Sequence, residues 1–272
     1  MLKLAFVARC APALGLAFAL SLAAPAGAQT AEPAELWPSL ARDIFKGRTM
    51  ADGGDVIALQ APAHADDAAI VPMTISLEKP AAVRNVTLVI DQNPAPMAAS
   101  FIIGPQSGLT MISTRVRVND YTNVHVVAET TDGTLHVVAR NVKAAGGCSA
   151  PSVKDMSEAE ANIGKMKFRA ILAGDLANSQ RREAQIMIRH PNASGLQMDQ
   201  GTGLYIPARY IDHLVVRQGD DLVFEMNGGI SISEDPNFRF TYAPNGAKSM
   251  FVEARDSDGK VYRAQYPIDV AS

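Results

Sequence analysis

Thr122-Asn123-Val124-His125-Val126-Val127-Ala128-Glu129-Thr130-Thr131-Asp132-Gly133-Thr134-Leu135-His136-Val137-Val138-Ala139-Arg140-Asn141-Val142-Lys143 decides the fold class. Asp132-Gly133 separates two strand-like runs, and the pair suits a two-residue hairpin turn because both central positions take positive φ. Counting outward from that turn pairs Glu129 with His136, Val127 with Val138 and His125 with Arg140 on one face. Val124, Val126, Ala128, Leu135, Val137 and Ala139, all apolar, take the other. A hairpin with one face on a core accounts for the alternation. His125, Glu129, His136 and Arg140 then share the polar face, read either as a solvated cross-strand charge ladder or as a docking face beside the segment that follows.

The same period runs through the chain. Strands are expected at 56–60, 70–77, 83–90, 101–103 and 111–118, where Ile112, Thr114, Val116 and Val118 face a core and Ser113, Arg115 and Arg117 face water. Asp91-Gln92-Asn93-Pro94-Ala95-Pro96 is a loop, since its two prolines cannot extend a ladder. Trp37, Leu40, Ile44 and Phe45 lie at helical spacing, a short helix plugging the end of a sandwich with Trp37 in its core. A polar linker leads to a second β pattern: Met166 to Leu172, Ala184 to Arg189, Ile211 to Arg217, Leu222 to Asn227, Phe238 to Tyr242 and a closing hairpin from Lys248. Short strands at this spacing point to two immunoglobulin-like β-sandwiches in tandem, an all-β fold. The domain reading is a signal at 1–28, a first sandwich at 29–143, an arm and linker at 144–162 and a second sandwich at 163–272.

The first hairpin leads into Ala144-Ala145-Gly146-Gly147-Cys148-Ser149-Ala150-Pro151. Gly146 and Gly147 give an arm its hinge, and the small residues around Cys148 leave it no apolar partners. The N-terminus sets the compartment. Lys3 and Arg9, the small apolar run from Ala11 to Ala24 and Ala26-Gly27-Ala28 form a secretory signal cleaved after Ala28, which places the mature chain in the periplasm. Of the two cysteines, Cys10 lies within the signal, so Cys148 alone remains and has no internal disulfide partner. It is expected to be accessible and to titrate near the ordinary thiol value of about 8.5, lower if His125, Lys143 or Arg140 is close. Such a thiol carries cargo or links covalently to a partner.

Composition narrows the alternatives. A formal net charge of -3 lacks the basic stripe of a nucleic-acid binder, and no second apolar span follows the signal, so neither nucleic acid nor membrane is a partner. His190 and His213 lie outside any ligand spacing, so no metal or other cofactor is expected. A cysteine hydrolase needs a base held against the sulfur and a group orienting that base. A glycine-hinged thiol holds no such geometry, so no catalytic residue is assigned.

The ordered set of motifs resembles a known family. Ala61-Pro62-Ala63-His64-Ala65, Ile70-Val71-Pro72-Met73, the 91–96 loop, the 123–129 strand and Gly146-Gly147-Cys148 resemble SoxY, the sulfur-carrying subunit of the periplasmic thiosulfate-oxidising system. His190-Pro191, Gly203-Leu204-Tyr205-Ile206-Pro207-Ala208 and Ser233-Glu234-Asp235-Pro236-Asn237-Phe238 resemble its partner SoxZ. The order is that of a SoxY–SoxZ fusion, most like the carriers associated with quinoprotein dehydrogenases. The resemblance implies a non-catalytic carrier with cargo held covalently on Cys148 and two domains packed on each other. The implied partners are periplasmic sulfur-oxidation or dehydrogenase-linked enzymes and c-type cytochromes. Ser149 and Ala150 stand where the family has glycines, and the arm is internal. From a different class, the competing reading is a two-domain assembly module whose cysteine crosslinks a partner.

Overall fold

The computed structural model describes residues 36–151, 160–171 and 181–268. The signal at 1–28 and residues 152–159 of the 144–162 arm and linker lie outside them. The first half contains α1 (Trp37–Phe45), β1 (Met50–Asp52), β2 (Ile57–Gln60), β3 (Val71–Leu77), β4 (Val83–Ile90), β5 (Met97–Ile103), β6 (Met111–Val116), β7 (Thr122–Thr130) and β8 (Leu135–Val142). The second contains β9 (Met166–Ile171), β10 (Arg182–Ile188), β11 (Ile211–Gln218), β12 (Asp221–Gly228), β13 (Asn237–Tyr242), β14 (Ser249–Asp256) and β15 (Val261–Pro267). The all-β pair of sandwiches expected from the sequence is what forms.

The two sandwiches share their sheets. One layer is nine-stranded, in the order β1-β8-β7-β4-β5-β12-β11-β14-β15, and the other six-stranded, β2-β3-β6-β13-β10-β9. At the seam β5 pairs antiparallel with β12, Phe101 opposite Met226, and β6 with β13, Ile112 opposite Phe240. Each sheet therefore passes from the first half to the second without an open edge. Phe101 of the first half meets Phe224 and Phe238 of the second edge-on, with ring centroids 6.3 and 6.4 Å apart. All three rings are fully buried. Such pairs contribute roughly 0.5–1.5 kcal/mol each beyond their buried area.

The hairpin corrects the expected register. Glu129 pairs with Leu135, Ala128 with His136 and Val124 with Arg140. The turn holds three residues, because Thr130 and Thr134 close it (N–H to O, 3.0 Å) and Gly133 alone takes positive φ, at 86°. Asp132 fixes that turn by accepting from Thr130 Oγ1 at 2.6 Å and Thr134 N–H at 3.0 Å. A slip of one residue exchanges sheet faces. His136, Val138 and Arg140 therefore share the face of Val124, Val126 and Ala128, while Leu135 joins His125, Val127 and Glu129.

The helix is also placed differently. No residue of α1 is fully buried. It lies on the outer face of the nine-stranded sheet rather than plugging an end. Trp37, half-buried, stacks on His125 with ring centroids 3.7 Å apart. Ile44 and Phe45 border a groove over Val127 and Leu135, and Leu135 is buried there. β1 has no clear sequence signal; it pairs parallel to β8, Met50 opposite Leu135.

Candidate functional site around Cys148

Beyond β6 the chain continues through Arg117, Val118 and Asn119, and the arm returns to pair with it. Gly146 N–H donates to Asn119 O at 2.8 Å, and Gly147 N–H to Val118 O at 3.0 Å. Ser149 N–H reaches back to Gly146 O at 3.2 Å, so Gly146 to Ser149 form a tight turn with Cys148 near its apex. Gly146 sits at φ +78 with open space where a Cβ would stand, whereas a Cβ on Gly147 would lie 2.0 Å from Ala68 O and 2.6 Å from Val118 O. Glycine at 147 is thus required by close backbone packing in the docked arm.

The second half closes over this turn. Ser194 Oγ donates to Cys148 O, and Gln197 Nε2 donates to Ala150 O at 2.8 Å. Arg117 joins both halves, with Nη1 donating to Gly147 O at 3.2 Å and Nη2 to Asn192 O at 3.3 Å. Asn192 is anchored in turn by His190, whose Nδ1 accepts its N–H at 3.0 Å. Ala144 packs into the hydrophobic core, and the turn beyond it is held by polar contacts to backbone carbonyls.

The expected accessible thiol is therefore corrected: Cys148 is completely buried. Burial pushes its pKa up to about 11, against the opposing attraction of the Arg117 guanidinium. The small residues beside Cys148 in sequence offer it no apolar partners; in the fold the turn that carries it is seated against 117–119 and 192–197 through the bonds above. Arg117, expected in water, is 1% exposed for the same reason. Its pKa is lowered by burial, with Glu234, Cys148 and Asp67 pulling the other way, and its Nε has no hydrogen-bond partner. Among the described residues no ion pair holds it. Arg117, Ser194 and Gln197 are the site residues the sequence reading missed. Arg117 carried no signal of its own, since with Ser113 and Arg115 it completes the water-facing side of an alternating strand; the loop residues carried none either.

The four residues of the expected docking face do not come together. His125 is buried beneath Trp37 with its Nδ1 2.9 Å from Asp91 Oδ1. Glu129 is bound by Arg48 at 2.8 Å and Arg84 at 2.7 Å. His136 and Arg140 occupy the opposite sheet face because of the register slip. Lys143 is exposed and its backbone joins the 63–65 segment, so the cation acting on the thiol is Arg117.

Elsewhere in the second half, buried Asp256 accepts from Arg209 Nη2 at 2.9 Å, Tyr262 OH at 2.9 Å and Lys260 N–H at 2.8 Å. Burial pushes its pKa up, but these donors outweigh burial and hold it below the ordinary carboxylate range. His190 Nε2 lies 3.6 Å from this carboxylate. Burial lowers the His190 pKa, which favours the neutral ring in this structural cluster.

Two family descriptions match consecutive parts of the chain: "Sulfur oxidation protein SoxY" over residues 41–148, ending on the thiol, and "Sulphur oxidation protein SoxZ" over residues 173–267. No curated protein matches the sequence. Among solved structures, the sulfur carrier protein SoxY from Chlorobium limicola f thiosulfatophilum is 28% identical, with 41% of this chain covering 97% of that one at a TM-score of 0.35. A superoxide reductase (neelaredoxin) variant from Ignicoccus hospitalis is 10% identical, with 33% of this chain covering 79% of that one at a TM-score of 0.30. With a SoxY domain ending on the buried thiol and a SoxZ domain supplying part of its cover, the chain belongs to the SoxY and SoxZ families as a fusion of the two.

Proposed function

We propose that the protein is a periplasmic, non-catalytic carrier that holds sulfur-containing intermediates covalently on Cys148 and presents them to partner enzymes. The observation that carries this reading is the position of the thiol: it is the last residue of the SoxY match and the apex of a turn latched by reversible polar contacts. The side chains bound to that turn are Arg117, Ser194 and Gln197, and none of these is a general base. The arrangement supports storage and release rather than turnover.

The docked thiol is protonated and shielded, and the thiolate is the nucleophile in sulfur chemistry. Loading therefore follows release of the turn. Once released and deprotonated, Cys148 Sγ bonds to a donor sulfur as the donor's own sulfur–sulfur bond breaks; the electron pair leaves with the donor's second sulfur and the thiol proton passes to solvent. Redocking then protects the adduct only as far as the turn accommodates it.

Intact mass of the protein purified from its native compartment without reductant tests this. Heterogeneous small sulfur additions, removed by reductant and absent from Cys148→Ser, are expected. A disulfide to one fixed protein would instead assign the cysteine to crosslinking.

A further inference from the structure

The expected docking face on the hairpin dissolved, but another surface has the charge for that role. In the six-stranded sheet the ladder registers fix which side chains face outward. Gln185 opposes both Arg239 and Arg169, Met187 opposes Lys167, and Arg239 opposes Ser113. Their neighbours Ala184, Ile186, Ile188, Phe238 and Phe240 fill the core. The outer face therefore carries Arg115, Lys167, Arg169, Arg189 and Arg239, with Lys165 at its border. Glu183 and Asp235 are the carboxylates among them, and Glu234 acts on Arg115 from the adjoining loop; Glu183 is engaged by Arg239 and Asp235 by Arg189. Lys167 and Arg169 are exposed and form no ion pair among the described residues.

Arg115, Lys165, Lys167 and Arg189 also line a groove of about 790 Å³, together with Met166 and Met187. Arg115 Nε is buried there without a hydrogen-bond partner. The chain as a whole has a formal net charge of -3, so this face is a local inversion of sign rather than a general property. It also adjoins the thiol. Arg115 and Arg117 are two residues apart on one run of chain, hence on the same side and roughly 7 Å apart, and Arg117 grips the carbonyl just before Cys148.

We propose that this face is the docking surface for the acidic surface of the protein that exchanges cargo with Cys148. The proposal rests on the carrier reading above. Opposite charge raises the encounter rate and fixes orientation, and the groove beside Arg115 brings an acidic partner to the latch of the turn. The low aromatic content of the face fits a transient contact made and broken at each transfer.

Three synthetic peptides of equal length test it. Each bears one cysteine activated as a pyridyl disulfide, flanked by glutamates, by lysines or by serine and glycine, and each reacts with the full mature chain. Cys148 thiolate forms the mixed disulfide as thiopyridone leaves with the electron pair, so the exchange needs no other reactant. Turn release is common to all three and cancels in the ratio of rates. The acidic peptide should react about tenfold faster than the neutral one at low salt, with the advantage lost near 0.5 M, as screening requires. Lys167→Glu combined with Arg169→Glu should remove the advantage and leave the neutral rate unchanged. Equal rates for the three peptides, or an advantage that survives the double charge reversal, would overturn the docking surface while leaving the carrier reading intact. If neither the peptides nor methyl methanethiosulfonate modified Cys148, both would fall. Short duplex DNA bound through these residues, or a homodimer dissolved by the double reversal in sedimentation, would assign the face to another occupant and overturn the proposal.

Discussion

Gly147→Ala is expected to spring the arm. A Cβ at this position would stand 2.0 Å from Ala68 O and 2.6 Å from Val118 O; both are backbone atoms, so no side chain can turn aside. The docked turn is held by Gly146 N–H to Asn119 O and Gly147 N–H to Val118 O, with further bonds from Arg117, Ser194 and Gln197. At about 1 kcal/mol net for each of these bonds, against about 1–2 kcal/mol to order each residue of the turn, docking and release are balanced to within a few kcal/mol. Displacing residue 147 loses its bond to Val118 and the grip of Arg117, about 2 kcal/mol together. That corresponds to roughly thirtyfold more of the released state. Iodoacetamide alkylation of Cys148, followed by mass at neutral pH, should accelerate by about that factor.

The pH profile gives a second readout of the same variant. The docked thiol titrates at about 11, above the ordinary value of about 8.5 for a released one. Docking is therefore at full strength below the released value and weakens as pH rises toward the docked one, by about 1.4 kcal/mol per unit. Wild-type alkylation should keep rising above pH 9, whereas Gly147→Ala should level off near 8.5. If the variant alkylated within about twofold of wild type and kept the same profile, the packing argument for Gly147 would be wrong.

Cys148→Ser should remove every covalent adduct and lower stability by about 1–3 kcal/mol, because a hydroxyl replaces a fully buried thiol; calorimetry checks the second part. Arg117→Gln should accelerate alkylation and lower stability in denaturant titration, since it frees the carbonyls of Gly147 and Asn192, and Arg117→Lys should not restore both contacts because an ammonium lacks the two-pronged fork. Asp256→Asn should destabilise by at most the ~3–5 kcal/mol of a broken buried pair, since Arg209 is partly exposed. Asp256 has a lowered folded pKa, so its contribution is present above the ordinary carboxylate value of about 3.9 and is lost as pH falls below it. The variant should accordingly show a shallower acid-unfolding limb between pH 4 and 2.

The strands were legible because burial on one face imposes period two, and Val71 to Leu77 or Ser249 to Asp256 state it directly in their burial. The hairpin register was not. Two-residue and three-residue turns both accommodate Asp132-Gly133, and the choice rests on Asp132 bonding Thr130 and Thr134, a contact that leaves no mark in hydrophobic pattern. Both registers place apolar residues on both strands, and α1 lies on the outer face of this sheet, so Leu135 and Val137 need no core. The thiol was legible as an isolated cysteine between small residues. Its burial was not, because the turn is seated in part by Ser194 and Gln197, and sequence carries no distance between segments that far apart.

The seam explains why thiol and fold belong to one unit. Without the second half, β5 and β6 would become open edges with unpaired backbone groups and Phe101 would lose its aromatic neighbours. The latch is divided in the same way: Val118 and Asn119 come from the first half, Ser194 and Gln197 from the second, and Arg117 bonds across both. Neither half alone presents a complete seat for the turn. Joining them in one chain raises their effective concentration to roughly millimolar, so the seat stays assembled at dilutions where two separate chains would part. On the carrier reading proposed above, the buried thiol is protected by the integrity of the seam and released by the turn alone. In that cycle a few polar bonds govern access to the sulfur while the shared sheets stay intact.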